Sequence, residues 1–139
     1  MPPKSEYTLE DAFPTEVVCP VKPLGNRVLV MIRCPRRITA NGIHIPEDDL
    51  INAYRNEQTA KVIAVGNGAF HFPSDGRAWA SGEWYKAGDY VRVPLHGGDN
   101  HWVTDRHNKL IIFKTFKDYE VIALIEGDPL LVKTNYAYF

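Results

Sequence analysis

The apolar residues of this chain come in short bursts separated by turn residues. Arg27-Val28-Leu29-Val30-Met31-Ile32 is the clearest burst, rich in β-branched residues and apolar at successive positions. That pattern predicts a strand buried on both faces. A strand wetted on one side would alternate, so burial on both sides points to a closed barrel or a subunit contact. Ala60-Lys61-Val62-Ile63-Ala64-Val65 follows in the same style and stops at Gly66-Asn67-Gly68, a strong turn signal. Tyr90-Val91-Arg92-Val93-Pro94 is introduced by Ala87-Gly88-Asp89 and closed by a proline. His101-Trp102-Val103-Thr104, Leu110-Ile111-Ile112-Phe113 and Glu120-Val121-Ile122-Ala123-Leu124-Ile125 complete the set. Six short strands with turn residues between them predict an all-β fold, a small barrel.

Two stretches fall outside this rhythm. Residues 35–58 separate the first two strands by more than a hairpin needs, and a connection of that length is usually functional or mobile. Within it, Pro46-Glu47-Asp48-Asp49-Leu50 has the form of a helix start, with proline early and acids in the first turn. Leu50 and Tyr54 stand one turn apart, which leaves a short helix as one reading of the stretch beside an irregular loop. Residues 69–86 carry Phe70, Phe72, Trp79, Trp84 and Tyr85, which is too aromatic for an inert linker.

Composition narrows the function classes. A chain of 139 residues has the size of one domain and no room for a second, catalytic one. At 45% hydrophobic and 24% charged it reads as globular rather than disordered. Sixteen Lys+Arg against 17 Asp+Glu give a net charge of -1, so a dedicated nucleic-acid binder with a concentrated basic surface is not expected. No apolar run approaches the ~20 residues of a membrane span. The first residues carry acids and lack an apolar core, so no secretory leader is expected. Cys19 and Cys34 make neither a disulfide framework nor a Cys-x-x-Cys motif, and they read as reduced thiols of a soluble cytoplasmic protein.

Candidate chemistry is sparse. In an extended backbone residues i and i+2 point the same way, so Ile43 and Ile45 would form a paired apolar anchor while His44 faces elsewhere. On the residues alone two readings stand: an edge that docks in a partner's groove, or the start of a buried strand of the same barrel. His96-Gly97-Gly98-Asp99-Asn100-His101, with His107 beyond, is rich in possible metal ligands and would carry the alternative of a metal-binding small β-barrel enzyme. Gly-Gly-Asp-Asn is equally turn chemistry, and no His-Glu-x-x-His spacing or nearby cysteine completes a site, so no metal is expected. There is no Gly-x-Ser-x-Gly elbow, and neither Gly66-Asn67-Gly68 nor Gly97-Gly98 precedes a recognisable phosphate-binding helix. No catalytic residue is assigned. Trp79, Trp84 and Trp102 could stack bases in an OB-like oligonucleotide-binding module, but the charge balance favours packing for them.

Taken in order, five segments resemble the GroES-type co-chaperonin family, the lid proteins of the bacterial chaperonin system. Pro23-Leu24-Gly25-Asn26-Arg27-Val28-Leu29-Val30 is similar to the family's opening Pro-Leu-x-x-Arg-Val strand, and Asn41-Gly42-Ile43-His44-Ile45-Pro46 to the Gly-Gly-Ile-x-Leu element of its mobile loop. Ala60–Gly68 resembles Gly-x-Val-x-Ala-Val-Gly-x-Gly, Lys86-Ala87-Gly88-Asp89-Tyr90-Val91 resembles Val-Gly-Asp-x-Val, and Tyr119–Glu126 resembles the closing strand. The match covers residues 22–127, leaving an N-terminal extension, 1–21, and a C-terminal tail, 128–139. The loop after Pro46 is longer than the bacterial version, and His44 stands in the middle of the binding tripeptide. Such padding resembles co-chaperonins encoded by bacteriophages.

The resemblance implies a GroES-like β-barrel with a mobile loop at about 35–58 and a roof hairpin at about 69–86. It implies a non-enzymatic lid, a seven-membered ring that caps an ATP-hydrolysing, GroEL-type chaperonin and encloses substrate protein. The partner-binding residues would be Gly42, Ile43, His44 and Ile45, and any ATP would be bound by the chaperonin, leaving this chain without a cofactor. The closing strand would pair with a neighbour's first strand near Val28, with the apolar tail covered at that boundary. Burying two isoleucines contributes about 3–6 kcal/mol, whereas ordering ten loop residues costs on the order of 10–20 kcal/mol. A single loop should therefore bind weakly, and linked loops on a ring gain about 10²–10⁴ in avidity.

Overall fold

Residues 7–38 and 41–133 are described by a computed structural model. Six strands form one antiparallel sheet: β1 (Arg27–Ile32), β2 (Thr59–Val65), β3 (Tyr90–Arg92), β4 (Asp99–Thr104), β5 (Leu110–Lys117) and β6 (Ala123–Ile125), in the order β4-β5-β1-β2-β3-β6. Two helices accompany them, α1 (Leu9–Ala12) and α2 (Glu47–Arg55). The all-β expectation stands, and the stretch after Pro46 takes the helical one of its two readings.

β1, apolar at five of its six positions and buried at all five, lies in the interior of the sheet. Val28, Val30 and Ile32 pair with Phe116, Val62 and Ala60, among others, and this face forms the Val-rich interior. Leu29 and Met31 lie on the opposite face beside Phe113, and they are buried too. Their cover comes from the N-terminal extension. Thr8 caps α1 with a capping box. That turn delivers Ala12 and Phe13 into the core, with the Phe13 ring 5.1 Å from the Tyr90 ring. The Ala12 carbonyl accepts from the Cys34 amide at 2.8 Å, and the Tyr7 hydroxyl donates to the Cys34 carbonyl. Burial of β1 on both faces thus arises within one chain. Both edges of β1 are taken, by β2 and β5, which corrects the expectation that a neighbour's closing strand pairs near Val28. The strands at the sheet's edges are β4 and β6.

The turn at 66–68 brings two backbones into contact. The Gly66 amide donates to the Arg27 carbonyl and the Gly68 amide to the Gly25 carbonyl, both at 2.9 Å. A Cβ on Gly66 would lie 2.3 Å from the Gly25 oxygen, so only glycine fits. The last predicted strand is shorter than its apolar run. Asp118–Glu120 forms a 3₁₀ turn, because the buried Asp118 carboxylate accepts from the Phe70 and Tyr119 amides and so competes with the ladder. β5 in turn runs on to Lys117, where polar Lys114 and Thr115 hid its continuation.

The aromatic stretch 69–86 divides. Phe70 and Tyr85 are buried, edge to face at 4.9 Å, and Trp79 packs on Phe70 at 5.5 Å. Phe72 and Trp84 remain exposed on an excursion whose strand-like pairing is a bridge between His71 and Ala78. The expected roof segment is therefore rooted in the core at both ends.

One buried ion pair joins three distant segments. Arg33, at the end of β1, donates from Nη2 to Glu57 at 3.0 Å, and both side chains are almost fully buried. Its Nη1 donates to the carbonyls of Pro129 and Val132 at 2.8 and 2.7 Å. The other oxygen of Glu57 accepts from the Gln58 and Thr59 amides. The beginning of the C-terminal tail thus folds back on its own barrel, while Leu131 stays exposed; residues 134–139 of the apolar tail lie outside the described residues. Removing one partner of a buried pair strands the other charge, at a cost of about 3–5 kcal/mol. Arg33→Met is expected to lower unfolding free energy in urea by that order and to open the chain near residue 133 to protease. Arg33→Met combined with Glu57→Gln removes the stranded charge yet keeps an acceptor for the Gln58 and Thr59 amides, and should recover most of the loss; a double variant no more stable than the single would show that packing, not charge, dominates.

Candidate functional site

The segment expected to bind a partner lies in the connection from β1 to β2. Ile38 and His44 form an isolated antiparallel bridge, and the Ile45 amide donates to the Arg37 carbonyl at 2.9 Å. The chain turns back through Asn41 and Gly42, while Thr39 and Ala40 lie outside the described residues. Gly42 has φ 84°, a left-handed conformation in which a side chain would be strained. Beyond it Ile43 is 63% exposed, His44 is exposed and Ile45 is only 6% exposed. The two isoleucines do not form the evenly exposed pair expected from their i, i+2 spacing. Ile43 sits beside the turn, away from the body of the protein, whereas Ile45 sits at the hairpin's base, where Pro46 leads straight into a docked helix. Position along the hairpin decides burial here, which the spacing could not show.

α2 is held by its inward residues. Glu47, Asp48 and Asp49 occupy its first turn, favourable at the positive end of the helix dipole, and Leu50, Ala53 and Tyr54 are buried. The Tyr54 hydroxyl accepts from the Ile112 amide at 2.7 Å and lies 3.5 Å from the Cys34 sulfur. Burial pushes the Tyr54 phenol well above its usual range and pushes the Cys34 thiol up to about 11. Sequence reasoning assigned no role to this Tyr54–Cys34–Ile112 contact. The visible signal was a large aromatic four residues after Leu50, one helical turn on.

The histidines do not converge. His96 is exposed, His101 Nε2 lies 3.2 Å from the Thr115 hydroxyl, and His107 lies against Arg106 on the β4–β5 turn. Among the described residues no three His, Cys, Asp or Glu side chains gather as a metal site. Trp79 and Trp84 pack on one another at 4.7 Å, and Trp102 stands apart on β4.

The surroundings of the loop correspond to a known pattern. The family described as Chaperonin 10 Kd subunit matches residues 20–125, from the chain just before β1 through β6. The chain belongs to this family. No curated protein matches the chain. Members of the Chaperonin 10 family are co-chaperonins that work with a GroEL-type chaperonin rather than enzymes, and the described residues include no helix long and apolar enough to cross a membrane. The matched range contains the 41–45 segment, α2 and the rooted aromatic excursion. It leaves out α1 and the tail, the two pieces that this Chaperonin 10 chain folds against β1.

Two consequences are measurable. The thiolate is the reactive form of cysteine, so at pH 8 Cys34 should resist iodoacetamide in the native protein while half-buried Cys19 reacts. Mass spectrometry of the alkylated chain reads both, and labelling of Cys34 should accelerate as pH rises toward about 11. Tyr54→Phe leaves the buried Ile112 amide without its acceptor, which costs about 1–3 kcal/mol. Faster hydrogen exchange at Ile112 and across α2 is the expected signature.

Proposed function

We propose that this chain is the subunit of a ring-shaped lid, a heptamer, that caps a GroEL-type chaperonin in the cytoplasm, the host's cytoplasm where a bacteriophage encodes it. The partner binds and hydrolyses ATP, and this chain contributes contact and closure without cofactor or bond chemistry. The observation that carries the reading is the exposed Ile43 beside the Gly42 turn, inside a segment of the matched family range. Gly42, Ile43, His44 and Ile45 are the contact residues of this proposal.

A loop that presents both isoleucines must first lift Ile45 from its buried position. Exposing one isoleucine costs about 1.5–3 kcal/mol, which each docking event must offset. Individual loops then bind weakly, and seven on one ring bind firmly by avidity yet let go together. The exposed Ile122 and Leu124 on and beside edge strand β6 supply apolar surface for neighbouring subunits. The aromatic excursion after β2, with Phe72 and Trp84 outward, would line the roof of such a ring.

Size-exclusion chromatography with light scattering, followed by co-sedimentation with a chaperonin and ATP, tests the reading. The protein should run as one ring-sized species and enter the chaperonin particle only with nucleotide. Ile43→Asp is expected to abolish that association with no change in melting temperature, since the site is exposed. Ile45→Asp should also lower stability by several kcal/mol, because its charge enters a buried site. Wild-type capping by Ile43→Asp, or a monomer that never joins the particle, would overturn the proposal.

A further inference from the structure

β4 and β5 continue the sheet face that carries Val28, Val30 and Ile32 inward. On it Asn100 pairs with Lys114, Trp102 with Ile112 and Thr104 with Leu110. α2 lies against this face through Tyr54, and two adjoining cavities of about 290 and 380 Å³ open between helix and hairpin, sharing Tyr54, Arg55, Trp102 and Ile112. Arg37, Arg55 and Lys109 line the first and Arg55 and Lys114 the second, and Glu47 is the single acidic residue in either wall. Arg37 and Lys109 also face a neighbouring cavity that carries Glu10, Asp11, Glu16 and Asp105, which leaves Arg55 and Lys114 as the cations without carboxylates across from them. The chain as a whole carries -1, so this concentration of cations is local.

None of these four cations forms one of the ion pairs found among the described residues. Lys114 is half-buried, and desolvation without an acidic neighbour lowers its pKa. A neutral side chain would serve the fold better there, because a partly desolvated charge costs stability unless something pairs with it. Trp102, 53% exposed and common to both cavities, offers an uncovered apolar surface.

We propose that this groove docks an extended acidic segment of a partner protein, with carboxylates on Arg55 and Lys114 and an apolar side chain on Trp102. The spacing suits a peptide: Leu110 to Lys114, on one face of β5, spans roughly 14 Å, at about 3.4 Å per residue, the reach of four extended residues. A nucleic acid would ask for more phosphate contacts than four side chains on a net-acidic chain supply. Because α2 is one wall, an occupied groove holds the helix against the hairpin. The inference is independent of chaperonin capping.

A fluorescein-labelled six-residue peptide, four Asp or Glu around one Phe and one Leu, titrated with the full-length protein at low salt, tests it by anisotropy. Saturable binding is expected, weakened at least tenfold by Arg55→Gln with Lys114→Gln and by 0.5 M salt, with hydrogen exchange across α2 slowed in the complex. Arg77→Gln with Lys86→Gln removes the same charge elsewhere and should leave affinity unchanged; melting temperatures verify that both double variants fold. The proposal fails if the groove variant binds normally, if both double variants weaken binding equally, or if the Asn/Gln version of the peptide binds as well. It fails equally if a six-nucleotide single strand binds more tightly than the peptide, or if inorganic phosphate displaces the peptide at matching concentration.

Discussion

β1 is buried on both faces, and this constraint organises the rest of the structure. A strand that reads Val-Leu-Val-Met-Ile has no face to leave in water. Its two edges are filled by β2 and β5, its inner face by Val62, Phe116 and their neighbours, and its outer face by Ala12 and Phe13 from the N-terminal extension. Burial of large apolar side chains is worth about 1.5–3 kcal/mol each, so the extension is an integral part of the core.

Arg33 follows directly after this strand, and there the fold turns from apolar to ionic bonding. A buried guanidinium needs an acid and several acceptors at once. Glu57 and two carbonyls beyond β6 provide them, which ties the exit of the long connection to the start of the tail. Segments 24 and nearly 100 residues away from Arg33 are thereby fixed to one point. The long connection is fastened to that frame unevenly: Ile45, Leu50, Ala53 and Tyr54 are buried, whereas Ile43 beside the Gly42 turn is 63% exposed. Positions with little buried area are the ones that move at low cost.

Sheet membership, the α2 start and the turn at Gly66-Asn67-Gly68 were legible in the sequence, because each depends on local chemistry: β-branched runs, acids behind a proline, glycines at a close approach. The order of the five motif segments was equally legible and carried the family. The depth of Ile45 was not, since i, i+2 spacing gives a direction and says nothing about distance from the body of the protein. Arg33 passed as one more charged residue after a strand, and Asp118 as one more polar residue between two strands. Their burial depends on partners 24 to 99 positions away, and no window of sequence contains both ends. The extensions read as additions because they fall outside the motifs, yet Phe13 and Pro129 are buried. Periodicity and turn chemistry thus set the strands and the family, as interactions within a few residues. Which segment covers β1, which carbonyls satisfy Arg33 and which isoleucine faces water were decided only when the sheet brought distant residues together.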